Sequence, residues 1–417
     1  MKAIFAISCW LFIVSYTSAQ TLSLERCYEL AQSNYPLVKQ YALIGKTKEY
    51  SIANASKGYL PQISIAGQAS YQSDVTQIPI SLPNLDIPVM SKDQYKLYGD
   101  ISQPITDLFT VKYQKELINA NTVVEEQKIE VELYKLKERI NQLYFGILLI
   151  DAQIAQIETL KKDIRLGIDK NSVAIANGIA LKSSADVIKA ELLKADQKTI
   201  ELKATRKGYA DMLSLFINQT INEYTVLEKP YTIVLATEIN RPELKLYDVQ
   251  KQTFDVQHKL VNTKNLPRFS LFAQGGYGRP GLNMLNNDFD LYYIGGVRLI
   301  WNITNFYTYK QEKQLLTINQ NTLGVQKETF LFNTNLMLKQ QNNEIAKLEE
   351  LIQTDKDIIR LRENVKLSAQ NQLEFGTATT NDYLTYINAE DNAKQALLLH
   401  EIQLLMARYS FKTISGN

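Results

Sequence analysis

Leu60-Pro61-Gln62-Ile63-Ser64-Ile65-Ala66-Gly67-Gln68-Ala69-Ser70-Tyr71 returns 206 positions later as Leu266-Pro267-Arg268-Phe269-Ser270-Leu271-Phe272-Ala273-Gln274-Gly275-Gly276-Tyr277. After the proline, Ile63, Ile65, Gly67, Ala69 and Tyr71 alternate with polar residues in the first copy, and Phe269, Leu271, Ala273 and Tyr277 do so in the second. A period of two belongs to a strand with one apolar and one polar face. Two further segments alternate. Tyr95, Leu97, Gly99, Ile101 and Ile105 oppose Gln94, Lys96, Asp100 and Ser102, while Phe289, Leu291, Tyr293, Val297, Leu299, Trp301 and Ile303 oppose Asp290, Arg298 and Asn302. The expected strands lie at about 62–71, 94–105, 268–278 and 289–303, each close to the roughly 9–11 residues a tilted strand needs to cross a bilayer. Taken alone, short alternating strands suit soluble hairpins packed on helices. The aromatics shift the balance: Tyr71, Tyr95, Tyr277 and Phe289 gather at one end and Phe269 and Trp301 near the other, like interfacial girdles.

The duplication extends well beyond the strands. Pro36/Pro242, Lys39/Lys245 and Tyr41/Tyr247 are identical at the same offset, and Ile105/Ile303, Thr106/Thr304, Lys112/Lys310, Ile147/Ile345, Ile154/Ile352 and Gly178/Gly376 are identical at an offset of 198. The second copy is thus shorter by eight residues, which fall in the proline-rich stretch Gln72 to Asp93, so the copies differ in a loop. We read residues 20–218 as one structural repeat, 219–241 as a linking region and 242–417 as a second repeat. All ten prolines avoid 105–229 and 281–417. These two tracts are where proline would break a helix.

Their apolar residues recur at helical spacing. Ile129, Leu133, Leu136, Ile140, Leu143, Ile147, Ile150, Ile154, Ile157, Leu160, Ile164 and Ile168 step by three and four, and Leu331, Leu338, Ile345, Ile352 and Ile359 step by seven, widened by Leu351, Ile358 and Val365. These are heptad seams, and the widened one expects neighbours on both sides. A helix from Thr106 to Asn171 would be roughly 100 Å long at about 1.5 Å per residue. Each tract is interrupted once, at Ala176-Asn177-Gly178 or Glu374-Phe375-Gly376-Thr377, before a second periodic segment from Lys182 or Asn381. Glycine after the last periodic residue is a helix stop. Two long helical hairpins result, with tips near 178 and 376.

Residues 1–19 hold Lys2, an apolar stretch from Ala3 to Val14 and the small-residue site Thr17-Ser18-Ala19, the pattern of a cleaved export signal. Cys9 lies too early in that stretch for a lipid-attachment cysteine, and Cys27 alone then remains, leaving no internal disulfide. Beyond the signal no run of about 18 apolar residues is expected, which excludes transmembrane helices but leaves β-barrel strands open. With 46 basic and 44 acidic residues in 417, nothing favours a nucleic-acid partner. His258 and His400 sit on helices without ligand-spaced partners, so no metal is expected. Gly276-Tyr277-Gly278-Arg279-Pro280-Gly281 spells a dinucleotide fingerprint, yet no helix opens after it. No nucleophile elbow, HExxH or CxxC is present, so neither a cofactor nor an enzymatic activity is expected. Methionine is scarce, with 6 in the chain, which disfavours a dedicated copper or silver ligand set.

Four strands cannot close a membrane barrel, which starts at about eight. Several chains must share one. Two would give a barrel filled by its own side chains, whereas three or more leave room for water. At this point the chain resembles the TolC-type outer-membrane efflux family. The resemblance rests on Leu22-Ser23-Leu24-Glu25, Leu60-Pro61, Leu266-Pro267, Gln103-Pro104-Ile105 and the two tip turns, Asn177-Gly178-Ile179-Ala180-Leu181-Lys182-Ser183 and Phe375-Gly376-Thr377-Ala378-Thr379-Thr380-Asn381-Asp382. It implies a mainly α fold with membrane β: a homotrimer sharing a 12-stranded β-barrel in the outer membrane, and coiled-coil hairpins forming a periplasmic α-barrel. It also implies docking of a periplasmic adaptor and an inner-membrane pump, for passive efflux or type I secretion. The alternative is a soluble periplasmic coiled-coil adaptor or scaffold. The tip residues Asn177, Gly178, Ile179, Ala180, Ser184, Phe375, Gly376, Thr377 and Ala378 become candidates for adaptor docking and gating. Asp382 holds the place of a family aspartate pointing into the tunnel entrance; Ser184 is its counterpart in the first copy, and a second family aspartate is Thr385 here. Three Asp382 carboxylates near one axis would raise one another's pKa and select among ions; otherwise Asp382 caps the helix that follows it.

Overall fold

The computed structural model describes residues 21–76, 89–375 and 377–417. The export signal, most of the proline-bearing stretch and Gly376 lie outside the described residues. Helices α1 (Leu24–Asn34) and α2 (Lys39–Ser56) precede β1 (Gln62–Tyr71) and β2 (Asp93–Pro104). Next come α3 (Asp107–Tyr134), α4 (Leu136–Ala176) and α5 (Lys182–Ile217). The order then recurs: α6 (Pro242–Lys264), β3 (Arg268–Arg279), β4 (Asp290–Ile300), α7 (Phe306–Glu374) and α8 (Thr380–Ser415). Between α3 and α4 only Lys135 intervenes, and its backbone stays helical, while α7 runs 69 residues without a break. Absence of proline is what permits such lengths.

Two compact units emerge, each drawing on both halves of the sequence. One comprises Lys39–Ile129 and Glu243–Phe330; the other takes the described residues up to Val38, with Glu130–Pro242 and Leu331–Asn417.

The first unit holds a single antiparallel sheet in the order β1-β2-β3-β4. Its central row pairs Ile63 with Ile101, Ile101 with Ala273 and Ala273 with Gly295. The row beside it reads Ile65, Gly99, Gly275, Tyr293, and the next Gly67, Leu97, Tyr277, Leu291. Because side chains alternate across the sheet, all three rows share one face. That face is bare: Ile65 is 82%, Leu291 78% and Tyr293 84% exposed. On the opposite face run Ser64, Asp100, Gln274 and Ile294, with Arg298 on the ring of Phe272 at 4.5 Å. Among the described residues, neither β1 nor β4 has a partner on its outer edge. Aromatics do collect at one end, where Phe289 stacks on Tyr277 (5.5 Å) and Tyr95 (6.3 Å).

β4 ends at Ile300, short of the expected 303. Trp301 turns to donate its indole N–H to the Asn265 carbonyl at 3.1 Å, and Ile303–Asn305 form a 3-10 turn opening α7. Pro104 ends β2, opposite Ser270, where a missing N–H is tolerable. The glycine-rich run Gly276 to Arg279 lies within β3, as expected of a strand rather than a phosphate loop.

In the helical unit the α4 seam is buried at Leu136, Ile140, Ile147, Ile150, Ile157 and Ile164. Of these, Ile150, Ile157 and Ile164 pack with Ile188, Ala195 and Leu202 of α5, Ala369 and Leu373 of α7, and Tyr383, Leu384 and Ile387 of α8. Gly167 lets α8 approach: a Cβ there would lie 2.7 Å from the Tyr383 ring. The outer half of the widened α7 stripe, Ile358 and Val365 with Leu361, stays exposed. On composition, the expectation of no apolar stretch suited to a membrane helix is too strong: Asp107–Ala176 contains one such window. Within that helix, however, Ile147, Ile150 and Ile157 are buried against protein.

Candidate functional site: the paired helical turns

α4 stops at Asn177 because Gly178 adopts φ +76°, a left-handed conformation that costs glycine nothing. Gly178 N–H then donates to Ile175 O (3.0 Å) and Ile179 N–H to Ala174 O (2.8 Å), closing the helix end. At the equivalent place in the second copy, Thr377 N–H donates to Gln372 O at 2.9 Å and Ala378 N–H reaches the same carbonyl at 3.2 Å. Ile179 and Ala180, with Thr377 and Ala378, line a cleft of about 480 Å³, together with Ala174, Leu181, Val187 and Leu373. Ser184 is also on that lining, whereas Phe375 projects into solvent, 79% exposed.

One buried amide ties the two turns together. Asn171, 0% exposed, accepts at Oδ1 from Ser184 Oγ (3.0 Å) and from Thr380 Oγ1 (3.2 Å). Asp382 lies exposed one turn into α8, where its carboxylate accepts from Thr379 N–H (3.1 Å) and Thr379 Oγ1 (2.7 Å) while Thr379 Oγ1 accepts from Asp382 N–H (3.2 Å). This is a reciprocal capping box. The side-chain and backbone hydrogen bonds from Thr379 hold its carboxyl below the usual carboxylate value. Within one chain, then, Asp382 has the capping geometry, and its shift is opposite to that expected of a ring of repelling carboxylates.

Above the turns a chain of charges crosses three helices. Lys366 of α7 bridges Asp163 of α4 (3.0 Å) and Glu390 of α8 (2.7 Å), and Lys394 bridges Glu390 (2.6 Å) and Glu363 (3.0 Å). Tyr383 donates its hydroxyl to the Asp163 carbonyl at 3.1 Å. Burial pushes the Glu390 carboxyl up, but hydrogen bonds and charge from Lys366 and Lys394 outweigh it and hold it below its ordinary 4.5. A depressed carboxylate contributes stability that is complete above the unfolded pKa and lost as pH falls through the folded one. Glu390→Gln is expected to cost about 2 kcal/mol at pH 7, less than the roughly 3–5 of a fully orphaned buried pair because each lysine keeps one carboxylate. Chemical denaturation at pH 7 and at pH 4 measures it: the gap between wild type and variant narrows at the lower pH.

The comparisons with known proteins are structural. No family model matches the chain, and no curated protein matches it in sequence. Three solved structures superpose over nearly all of it. The outer membrane protein VceC from Vibrio cholerae gives a TM-score of 0.65 at 13% identity, covering 94% of this chain and 96% of that one. The Campylobacter jejuni outer membrane channel CmeC gives 0.62 at 14%, covering 100% and 93%. The open state of the Neisseria gonorrhoeae outer membrane channel MtrE gives 0.64 at 14%, covering 94% and 89%. The fold is that of the TolC-type outer-membrane channels.

Within this outer-membrane channel fold, the structure brings Ile179, Ala180, Ser184, Thr377 and Ala378 to one cleft. Asn177 and Gly178 form the adjoining turn. Sequence reading missed Asn171, Lys366 and Glu390. The signal was present, because continuing the seam Ile150, Ile157, Ile164 by seven lands on Asn171, and continuing Ile352, Ile359 lands on Lys366. A polar residue at a core heptad position costs stability and fixes register. His400 was expected to lack a ligand-spaced partner in sequence; in space its Nδ1 lies 2.6 Å from Asp355 Oδ2. Among the described residues no group of three or more metal-capable side chains occurs.

Proposed function

We propose that three copies of this chain form an outer-membrane exit duct of a tripartite efflux or type I secretion system. The observation that carries this reading is the sheet: four antiparallel strands of 10–12 residues with a bare apolar face and two unpaired edges. Such an edge in water is a site of uncontrolled strand pairing. Joined β4 to β1 around a threefold axis, three sheets make twelve strands, close every edge and leave an aqueous lumen. The exposed stripe Ile358, Leu361 and Val365 of α7 supports the same reading, since it offers an apolar surface to the neighbouring chain's helices.

The halves 20–218 and 242–417 then act as repeats, each giving two strands and one hairpin, with 219–241 between them. Helices extend into the periplasm as an α-barrel, and the tip turns receive a periplasmic adaptor linked to an inner-membrane pump. Apolar Ile179, Leu181 and Phe375, exposed at the turns, are the surface the adaptor covers, and Asp382 gives the entrance one carboxylate per chain. Gly376 belongs to this proposal from sequence alone. The duct is passive; the pump supplies energy and selects cargo.

Native mass spectrometry of the protein extracted from outer membranes should give three times the processed chain mass, and the same sample should conduct ions in planar bilayers. Recovery as a water-soluble monomer that leaves bilayers silent would reject the duct.

A further inference from the structure

The polar face of the sheet is not uniformly polar. In β1 it presents Gln62, Ser64, Ala66, Gln68 and Ser70, whereas in β4 the residues on that face are Arg298, Gly296, Ile294, Tyr292 and Asp290. β3 sets Phe272 opposite Gly296 and Gly276 opposite Tyr292. The rings lean across those glycines: a Cβ on Gly296 would lie 3.2 Å from Phe272 Cε1, and one on Gly276 would lie 2.9 Å from Tyr292 Cζ. Ile294, 39% exposed, occupies the row between them. Phe272, Ile294 and Tyr292 thus form an apolar track ending at Arg298, and the six residues from Tyr292 to Arg298 span roughly 20 Å at about 3.3 Å each.

Arg298 closes one end of the track, its guanidinium 4.5 Å from the centre of the Phe272 ring, a contact that holds it in place. Among the described residues it forms no ion pair and no hydrogen bond, and none of its nitrogens is shut away from solvent. The other arginines of the sheet are paired: Arg268 with Asp107 at 3.7 Å, and Arg279 with Asp93. Carboxylates on this face lie elsewhere. Asp290 stands at the far end of the track, and Asp100 is two strands from β4, separated from Ile294 by Gln274. Rings that only cover glycines need no free cation at the end of their row.

We propose that this track binds elongated amphiphilic anions, the anionic head on Arg298 and the apolar body along Phe272, Ile294 and Tyr292. The inference rests on the duct reading above, in which this face lines the lumen. A guanidinium with free donors takes a sulfonate, carboxylate or phosphate through two parallel hydrogen bonds, and apolar side chains held in an aqueous lumen favour contact with an apolar chain over water. Asp290 repels a head group at the opposite end, so the anion lies in one direction. Where β4 joins the next copy's β1, the inward residues alongside are the neutral series Gln62 to Ser70, which adds no competing charge.

The experiment records currents through the full-length protein, extracted from outer membranes and placed in planar bilayers, while decane-1-sulfonate is added below its micelle-forming concentration. Wild type should be blocked at a concentration at least tenfold lower than that required of ethane-1-sulfonate, which has the head alone, or of decyltrimethylammonium, which has the opposite charge. Arg298→Gln should raise the half-blocking concentration of decane-1-sulfonate at least tenfold and erase its advantage over decyltrimethylammonium. Tyr292→Ser and Ile294→Ser should each raise it at least threefold without changing the response to ethane-1-sulfonate, while Ser64→Ala on β1 keeps the wild-type value. Should Arg298→Gln not assemble, Arg298→Lys carries the charge test by retaining the preference for the anion, and the two serine variants carry the rest. A wild-type channel that conducts yet treats the three probes alike, or an Arg298→Gln channel blocked as wild type is, overturns the track and leaves the duct standing. Silent bilayers reject the duct, and the track with it.

Discussion

Ala273→Arg is expected to abolish membrane assembly, and Gln274→Arg, one residue along the same strand, to leave it intact. Both positions lie in β3, paired on both sides, so neither alters a sheet edge. Ala273 sits in the central row between Ile101 and Gly295 on the apolar face, while Gln274 sits between Asp100 and Ile294 on the polar one. In a lipid-facing barrel wall an arginine at mid-height costs about 2–4 kcal/mol, so three copies cost roughly 6–12. A lumen-facing arginine beside Asp100 stays within about 0.5 kcal/mol of wild type, the usual range for a tolerated surface change. The measurement is the yield of trimer on native gels of outer-membrane extracts. A soluble sheet with its apolar face in water would tolerate the charge at Ala273 well, so equal trimer yields for the two variants would remove the barrel from the account.

The parity on which that test depends was legible in the sequence because a strand's period of two is rigid: Ile63, Ile65, Leu97, Ile101, Leu271 and Leu291 share a face only in registers of one parity, and which of those registers forms is set by the pairing itself. Helix positions were legible for a similar reason, proline marking where helices cannot be and glycine where α4 stops. Other features were not. The end of β4 at Ile300 depends on Trp301 finding the Asn265 carbonyl, a contact between residues 36 apart that periodicity does not encode. The ion chain Asp163–Lys366–Glu390 needs three helices at fixed heights, and height comes from packing. Asn171 and Lys366 were visible as polar interruptions of apolar seams, yet their partners were not, because a heptad gives a residue's side of the helix and not what faces it. Asp382 illustrates the limit from the other direction. Resemblance gave it a place, while local chemistry, Thr379 three residues before it, gave it a capping geometry within the chain.

The tip cleft leads to the second large effect. Gly178→Trp is expected to abolish export while leaving trimers in the membrane at near-normal amounts. Two consequences of the substitution have to be separated. Gly178 holds φ +76° with open space where a Cβ would stand, so the backbone cost of any L side chain there is about 1–2 kcal/mol and steric conflict within the chain is absent. Spread over a unit held by the seams of α4, α5, α7 and α8, a loss of that size does not unfold it. Gly178→Ala carries the same backbone cost with almost no added volume and serves as the control: it should retain most export. Tryptophan adds an indole beside Ile179 and Ala180, on a cleft of about 480 Å³, where the proposed partner would have to approach closely. If docking at the turns is what couples duct to pump, resistance to exported drugs falls to the level of a deletion in the tryptophan variant and stays near wild type in the alanine one. Tryptophan with full resistance would mean that partners engage the helices elsewhere. Loss of resistance in both variants alike would trace the effect to the strained turn, because only the added bulk distinguishes a blocked surface from a weakened helix end.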